Sequence, residues 1–162
     1  METARPARDD DLPTCLELLD RALSDARSMR GGQALVGNTT AADVLARWTD
    51  AATAADTATT ATAAAVYVGE FHHAVVGLAA ATVTVRPHAT EHSGRIECCY
   101  VEEGARGVGV GSALMESMVA WCSQQACRDV DALALPGDRH SKQRLEGAGF
   151  TARLLVLNRP LN

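Results

Sequence analysis

Aromatic side chains are scarce in this sequence of 162 residues, where Phe, Trp and Tyr together make up 4%. Leu, Val and Ala must therefore supply most of the core, and the length suits one domain, which we take to span residues 1–162. Long apolar runs are also missing, since no stretch reaches the roughly 18 residues of a membrane span. The first six residues lack the hydrophobic centre of a signal peptide. These absences predict a cytoplasmic protein without a membrane partner.

Positive charge is in deficit as well, because 15 Lys and Arg face 20 Asp and Glu, for a net charge of −5. Nucleic acids and anionic membranes are bound by strongly basic faces, so neither is an expected partner. Any phosphate group that this chain holds must be held by a local feature.

The five cysteines and five histidines follow no metal-binding or disulfide pattern. Cysteine spacing fits neither a zinc ribbon nor a secreted framework, so free thiols are predicted, with a catalytic Cys99 as the open alternative. His72 and His73 are adjacent and would point to opposite faces of a strand. His88 and His92 are four apart in a loop-like stretch, and we predict no metal site.

Glycine is concentrated in residues 101–112, which read VEEGARGVGVGS. Gly104, Gly107, Gly109 and Gly111 allow left-handed dihedrals and a close approach of the backbone to a ligand. A helix that begins at about Val110 would aim its unpaired N–H groups and positive dipole end into this turn. The stretch therefore predicts a cradle for an anion such as phosphate.

Spacing distinguishes three kinds of nucleotide loop. A P-loop would need Gly-Lys-Ser/Thr, and the dinucleotide fingerprint, counted from Gly107, would need glycine where Ser112 stands. The pattern that fits is Arg-x-x-Gly-x-Gly at Arg106, Gly109 and Gly111. It resembles the pyrophosphate loop of the GNAT superfamily, the general N-acetyltransferases. The resemblance implies that acetyl-coenzyme A is bound as co-substrate by a set of seven residues: Arg106, Gly107, Val108, Gly109, Val110, Gly111 and Ser112.

The order of predicted elements extends this resemblance over residues 4–157. The start ARPARDDDLPTCLELLDRAL is similar to the first strand and helix of GNAT proteins. Predicted strands cover residues 3–8, 66–70, 74–86, 95–101, 130–135 and 151–158. Predicted helices begin near residue 12 and at Thr39 or Thr40, and cover residues 110–126 and 138–146. Residues 24–38 are predicted as a loop, and the Ala- and Thr-rich residues 51–65 as a helix tail that fades into a connector.

Strand, helix and strand over residues 95–135 predict a right-handed crossover between two parallel strands. The resemblance implies an α/β fold of three layers: a mixed, mostly antiparallel sheet with this central parallel βαβ unit and helices on both faces. It also implies that the two parallel strands splay apart and that the pantetheine arm lies in the gap, against Cys99 and Val101.

The segment after residue 137 is similar to a second GNAT signature, which begins with Asn, contains Leu-Tyr-Glu and ends in Gly-Phe. Asp138 replaces the Asn, Gly149 and Phe150 match, and Leu145 stands where the tyrosine is expected. Asp138 is expected to cap the helix, although the corresponding side chain of the family can also touch ligand. Of the basic residues that follow, Arg139 is the candidate for contact with a coenzyme A phosphate, and the others are expected on a solvated helix face.

Acetyl transfer to an amine needs a base, a polarised carbonyl and a leaving thiol. Glu97 is the candidate base and is predicted to share a strand face with Cys99 and Val101; the alternative is an ordinary ion-paired carboxylate. The resemblance implies that a backbone N–H near Val101 polarises the carbonyl. The general acid that would protonate the leaving thiolate is not assigned, because Leu145 replaces the tyrosine of the family. Water, Tyr100, His140 or Ser141 could take that role.

The sequence thus favours an N-acetyltransferase, an acyltransferase that passes acetyl from acetyl-coenzyme A to a primary amine of a small molecule or peptide by direct attack on the thioester. The resemblance makes a homodimer the expected assembly. One alternative is a paralogue that binds coenzyme A in a sensing or regulatory role with little turnover. Another is an α/β module whose glycine turn is only structural.

Overall fold

A single mixed sheet lies at the centre of the fold, as seen in a computed structural model that describes residues 1–54, 62–85, 92–159 and 161. Its strands follow chain order across the sheet: β1 (Glu2–Pro6), β2 (Thr62–Phe71), β3 (Ala74–Val85), β4 (His92–Val101) and β5 (Cys127–Ala132). The first four are antiparallel to their neighbours, and β5 is parallel to β4. The helices are α1 (Leu12–Ser28), α2 (Gly32–Val36), α3 (Ala41–Ala54), α4 (Val110–Gln124) and α5 (Arg139–Gly147).

Helices cover both faces of the sheet and so build two hydrophobic clusters. Helices α1 and α3 pack on one face, where Leu18, Leu78 and Trp48 belong to the same buried cluster. Helix α4 packs on the other face, where Leu114 and Met118 are fully buried. The predicted three-layer α/β architecture, with a parallel βαβ unit, is confirmed.

The start of helix α4 packs directly on two glycine residues of the sheet, where there is no room for a side chain. A Cβ atom placed on Gly69 of β2 would come within 2.5 Å of Val110 Cγ1 and within 3.0 Å of Leu114 Cδ1. A Cβ atom on Gly77 of β3 would also come within 3.0 Å of Leu114. Val110 is 1% exposed and is the first residue of α4, so this contact fixes the height of the helix start above the sheet.

A half-buried ion-pair network joins β1 to the start of α1. Arg5 donates to both carboxylate oxygens of Asp11, at 2.6 and 3.0 Å, and its Nε donates to Glu70 Oε1 at 2.8 Å. Asp11 is 7% exposed and also accepts from the Arg8 N–H at 2.8 Å. The hydrogen bonds from Arg5 lower the pKa of the Asp11 carboxyl. Asp11 therefore has a structural role, since its carboxylate is fully engaged in holding β1 to the start of α1.

Several predicted boundaries need correction. The predicted loop at residues 24–38 contains the end of α1 and the short helix α2. Helix α3 begins as expected, since the Thr40 hydroxyl accepts from the Asp43 N–H at 3.2 Å, and Val44, Leu45 and Trp48 are buried. Strand β5 starts three residues before the predicted strand, because the half-buried residues from Cys127 onwards pair with β4 at the sheet edge. Of the predicted helix tail and connector at residues 51–65, residues 51–54 end α3, and residues 62–65 belong to β2 rather than to a connector, because they pair with β3. Residues 55–61, and His88, lie outside the described residues.

The predicted last strand is absent. Residues 151–159 have no regular secondary structure and are exposed. The apolar composition of RLLVLN favours a strand, but a strand needs a partner edge, and none of the described strands pairs with it. The chain therefore presents four neighbouring apolar side chains to solvent, at Leu154, Leu155, Val156 and Leu157.

Candidate active site

The two parallel strands separate at the place where the resemblance implied a gap. They pair from His92 opposite Cys127 to Ile96 opposite Ala132. Strand β5 ends there, whereas β4 continues through residues 97–101, whose edge on this side is open. A cavity of about 50 Å³ lies in the gap, between Cys99 of β4, Leu133 after β5, and Arg144 and Leu145 of α5.

The open edge of β4 offers backbone groups to a ligand. The Glu102 N–H donates to the Val76 carbonyl at 2.9 Å, on the β3 side. Because successive N–H groups of an extended strand point to opposite edges, the Val101 N–H faces the gap. The carbonyls of Cys99 and Val101 both accept from arginine side chains, Arg144 at 2.8 Å and Arg106 at 3.0 Å, which agrees with this orientation.

The glycine turn has the geometry of an anion cradle. Gly107 and Gly109 have φ values of 84° and 95°, which side chains with a Cβ rarely adopt. Helix α4 begins at Val110, as predicted, with Gly109 as its N-cap. After the Arg106 N–H, which donates to the Glu103 carbonyl at 3.2 Å, the next N–H that donates within the described backbone is that of Ser112, to the Gly109 carbonyl at 3.0 Å. The N–H groups of residues 107–111 are therefore available to a ligand at the positive end of the helix dipole.

Side chains border this cradle on two sides. A Cβ atom on Gly109 would lie 3.2 Å from Cγ and Oε1 of Glu2, and one on Gly111 would lie 2.8 Å from Nε of Arg144. Val110 contributes only its backbone, because its side chain is buried, while Val108 is 37% exposed at the tip of the turn.

Arg106 connects the glycine turn to the strand and to α1. Its Nε donates to the Val101 carbonyl, its Nη2 lies 3.6 Å from Asp25 Oδ2, and its Cζ lies 5.7 Å from the centre of the Tyr100 ring. The side chain therefore reaches towards α1, and its contacts fix the position of the turn relative to the end of β4.

Glu97 lies on a different face from the one predicted. A β-bulge interrupts the pairing of β3 and β4, so that Ala80 pairs with Cys98 and Ala81 with Ile96, and Glu97 has no partner. The extra residue reverses the alternation of β4 side chains between the two faces of the sheet. The Glu97 carboxylate therefore lies on the face that α1 and α3 cover, where it accepts a hydrogen bond from Thr82 Oγ1 at 2.8 Å. Glu97 thus shares a face with Cys98 and Tyr100, and the predicted face with Cys99 and Val101 was wrong.

Cysteine chemistry is disfavoured at this site. Burial raises the pKa of the Cys98 thiol to about 12. Burial also raises the pKa of the Cys99 thiol, with the nearby Arg144 opposing part of the rise. Since the thiolate is the nucleophile, thiols with raised pKa values are poorly reactive at neutral pH.

Helix α5 presents a different arginine to the site from the one expected. Asp138 caps the helix, because its Oδ1 accepts from the Ser141 N–H at 3.0 Å, and Arg139 is exposed. Arg144, expected on the solvated face, is half-buried in the gap. Ser141, Arg144 and Leu145, at positions i, i+3 and i+4, line the gap together, and no signal in the sequence set Arg144 apart from the other basic residues of this helix. Leu145 packs against the α4 cluster, so no hydroxyl is present at the tyrosine position.

A larger polar cavity of about 420 Å³ lies on the α1 side of β4. Its lining is charged and includes Arg21, Ser24, Asp25, Tyr100, Glu103 and Arg106. Arg21 also forms an ion pair with Glu102. Burial, followed by the charge of Asp25, raises the pKa of the Tyr100 hydroxyl. This cavity and the Glu97 carboxylate lie on the same side of the strand.

A sequence model of the Acetyltransferase (GNAT) family matches residues 36–150, which is more than half of the chain. The match includes the glycine turn, the open edge of β4 and the capped helix α5. The chain therefore belongs to the GNAT acetyltransferase family. A comparison with curated protein sequences found no match.

Solved structures of acetyltransferases share this fold at low sequence identity. Glucosamine-6-phosphate N-acetyltransferase from Arabidopsis thaliana is 15% identical, with a TM-score of 0.68, over 100% of this chain and 99% of that one. A predicted acetyltransferase from Clostridium acetobutylicum, solved with acetyl-CoA, is 18% identical, with a TM-score of 0.71, over 98% and 96%. An aminoglycoside acetyltransferase from an uncultured soil metagenomic sample, solved with sisomicin, is 14% identical, with a TM-score of 0.67, over 99% and 95%.

None of the described helices combines the length and the apolar composition that a membrane span requires. Within the described residues, no group of three or more His, Cys, Asp or Glu side chains could hold a metal ion. Of the two histidines expected in a loop, His88 lies outside the described residues, and His92 lies in strand β4 instead, where its Nδ1 is 2.8 Å from the Gln125 carbonyl oxygen.

Proposed function

We propose that this protein is an N-acetyltransferase that binds acetyl-coenzyme A and transfers the acetyl group to a primary amine. The observation that carries the proposal is a pair of neighbouring backbone features. The N–H groups of residues 107–111 have no backbone partner, and they adjoin residues 97–101 of β4, which pair with no described strand on this side and whose Cys99 and Val101 carbonyls accept only from the side chains of Arg144 and Arg106. The first feature suits a diphosphate, and the second suits an extended amide-containing arm that reaches into the gap.

The reacting carbonyl would lie at the gap edge of β4. The Val101 N–H, which faces this edge, is placed to donate to the oxygen that becomes negative in the transition state. Such a donor is worth about 3 kcal/mol when it is fixed in advance. Cys99 would contribute backbone contacts to the arm, because its thiol is buried and protonated.

Glu97 is proposed as the base. An alkylamine with a pKa of about 10.4 costs roughly 4–5 kcal/mol to deprotonate at pH 7, so a nearby carboxylate, acting directly or through water, accelerates the reaction. The β-bulge turns Glu97 to the side of β4 that also carries the polar cavity at Tyr100 and Asp25. We propose that the acceptor amine enters from this side, while the thioester arm enters through the gap.

The acceptor is proposed to be a small molecule or peptide with a primary amine. Asp25 and Glu103 in the polar cavity support a cationic group, and the two arginines support a second, anionic or hydroxylated portion. Five free cysteines support a reducing location such as the cytoplasm.

Thiol release from acetyl-coenzyme A in the presence of a panel of amines tests the proposal directly. Amine-dependent release together with cofactor binding is the expected result. Tight binding without release for any amine would favour the sensing paralogue. Absence of any binding would leave the glycine turn a structural feature.

We also propose that two copies form a homodimer through the C-terminal segment. Leu154, Leu155, Val156 and Leu157 are 76–84% exposed, and such an apolar run is rarely left uncovered. Arg153 pairs with Asp131 of β5 at 2.7 Å, which places the start of the segment beside an edge strand. Edge strands are templates for pairing with another chain, so the segment of one copy would cover β5 of the other.

Sedimentation equilibrium tests the assembly. The wild-type chain should sediment as a dimer, and Leu155→Asp should sediment as a monomer. Leu161→Asp, which changes an equally exposed leucine outside the run, should remain dimeric. A monomeric wild type would exclude this assembly.

A further inference from the structure

Arg144 is a cation inside the gap between β4 and α5. Its Nη1 donates to the Cys99 carbonyl at 2.8 Å and lies 3.5 Å from the Cys99 sulfur. Its Nε lies so close to the first turn of α4 that a Cβ atom on Gly111 would come within 2.8 Å of it. The guanidinium therefore lies where the open strand edge and the glycine turn meet.

Among the residues that the structure describes, no carboxylate forms an ion pair with Arg144, although Glu97 lines the same cavity. The hydrogen-bonding contacts of Arg144 are a carbonyl and a thiol whose pKa is raised by burial. The other cation on this turn of α5, Lys142, points outwards and lies 3.7 Å from Glu146. A half-buried arginine without a counter-ion binds an anion favourably, since charge-assisted hydrogen bonds are about twice as strong as neutral ones.

Acetyl transfer creates an anion in this gap. The amine nitrogen forms a bond to the thioester carbonyl carbon, and its proton passes to Glu97 or water. The carbon–sulfur bond then breaks, and its electron pair stays on the sulfur. Leu145 cannot donate a proton to that sulfur, and the side chain next to it in sequence is Arg144.

We propose that Arg144 stabilises the leaving coenzyme A thiolate as a fixed cation, in place of a general acid. This inference rests on the proposed transferase function. Arginine stays protonated at all relevant pH values, so its role is electrostatic, and the thiolate takes its proton from solvent after release. A cation beside a thiol favours the thiolate, as it does at reactive cysteines.

The acidity of bound coenzyme A tests this role without turnover. Ultraviolet absorbance of the thiolate, recorded as a difference against the protein alone, gives the pKa of the bound thiol. The protein's own thiols contribute little to the difference, because burial raises the pKa of all five, to about 11 for Cys15 and about 12 for Cys98 and Cys122, and the subtraction of the protein alone removes what remains. The pKa of the bound thiol should lie below the free-thiol value of about 8.5 in the wild type.

Arg144→Gln should raise the pKa of the bound thiol by about one unit and lower kcat about 10-fold, the fold-change that corresponds to one unit. The Kd for acetyl-coenzyme A should change less than about threefold, and Arg144→Lys should recover part of both effects. Lys142→Gln, on the outer face of α5, should match the wild type. Melting temperatures of all variants control for folding.

Two results would overturn the proposal. If Arg144→Gln leaves the thiol pKa and kcat unchanged, the cation does not act on the sulfur. If it raises Kd strongly while the thiol pKa stays fixed, Arg144 binds a phosphate instead. Failure of the wild type to bind coenzyme A would be a separate result that refutes the transferase function itself, and this inference with it.

Discussion

Arg106 Nε donates to the Val101 carbonyl at 3.0 Å, so one side chain joins the glycine turn to the end of the strand that would hold the thioester. The same guanidinium reaches Asp25 of α1 and lies beside the Tyr100 ring. The position of the phosphate cradle and the position of the reacting carbonyl are therefore coupled through a single arginine.

Replacement of Arg106 should impair binding and catalysis together. We expect Arg106→Gln to lower kcat/KM for acetyl-coenzyme A about 10-fold or more, because positioning of the thioester is lost along with one charge-assisted hydrogen bond. Arg106→Lys should recover little, since lysine lacks the planar set of donors that spans Val101 and Asp25. Steady-state kinetics measure this, with the exposed Arg30→Gln as the control. A fully active Arg106→Lys would show that charge alone matters.

The glycine at the N-cap of α4 should be indispensable for cofactor binding. At about 100 times its Kd, acetyl-coenzyme A should add roughly 2.7 kcal/mol to the free energy of unfolding, which raises the melting temperature by several degrees. Gly109→Val should abolish this shift, because φ is 95° there, which a β-branched residue rarely adopts, and a Cβ atom would crowd the Glu2 side chain at 3.2 Å. Gly104→Ala is a matched control, since a Cβ atom at Gly104 meets nothing within 4 Å. Equal shifts in both variants would refute the cradle.

The proposed base should be visible in the pH dependence. Glu97→Gln should lower kcat/KM about 100-fold at neutral pH, within the range typical of a general base. The loss should shrink at high pH, because the amine deprotonates without help as the pH nears about 10.4. Glu116→Gln, on the exposed side of α4, should keep the wild-type profile. A Glu97→Gln profile that is parallel to the wild-type profile would remove Glu97 from this role.

The ion pair of Asp11 with Arg5 should stabilise the fold above acidic pH. Because the pKa of Asp11 is lowered in the folded state, its contribution is present above the unfolded pKa of about 3.9 and is lost as the pH falls through the folded value. Asp11→Asn should cost about 2 kcal/mol at pH 7, from lost charge-assisted hydrogen bonds, and the difference should shrink in acid. Urea unfolding at several pH values measures this, with the exposed Asp10→Asn as the control. A constant difference down to low pH would contradict the assignment.

The elements that local sequence patterns specify could be predicted from the sequence alone. Helix α4 begins at Val110 as predicted, because the glycine turn and the apolar period that follows it are both readable along the chain. The parallel crossover was predictable for the same reason, since it depends on order and length. The cap at Asp138 follows from residue type alone.

Features that depend on long-range pairing were missed. The bulge at Glu97 arises from the register between β3 and β4, and no local sequence pattern around Glu97 predicts it. Arg144 was assigned to solvent because basic residues of a short helix are usually exposed, and only the gap beside Cys99 makes its inner position favourable. The segment after Phe150 has the composition of a strand, but a strand requires an edge to pair with, and composition cannot supply one.

The missing side chains of Gly69 and Gly77 have a consequence for the cofactor. Neither residue would contact a ligand. Both determine the distance between the first turn of α4 and the sheet, because Val110 and Leu114 of that helix pack directly on them. A methyl group at Gly69 would lift that turn and carry the donors of residues 107–111 away from the strand edge that they serve. Such a substitution should therefore weaken the affinity for coenzyme A before it prevents folding. Gly69 and Gly77, although remote from the ligand, thus contribute to the recognition of a diphosphate.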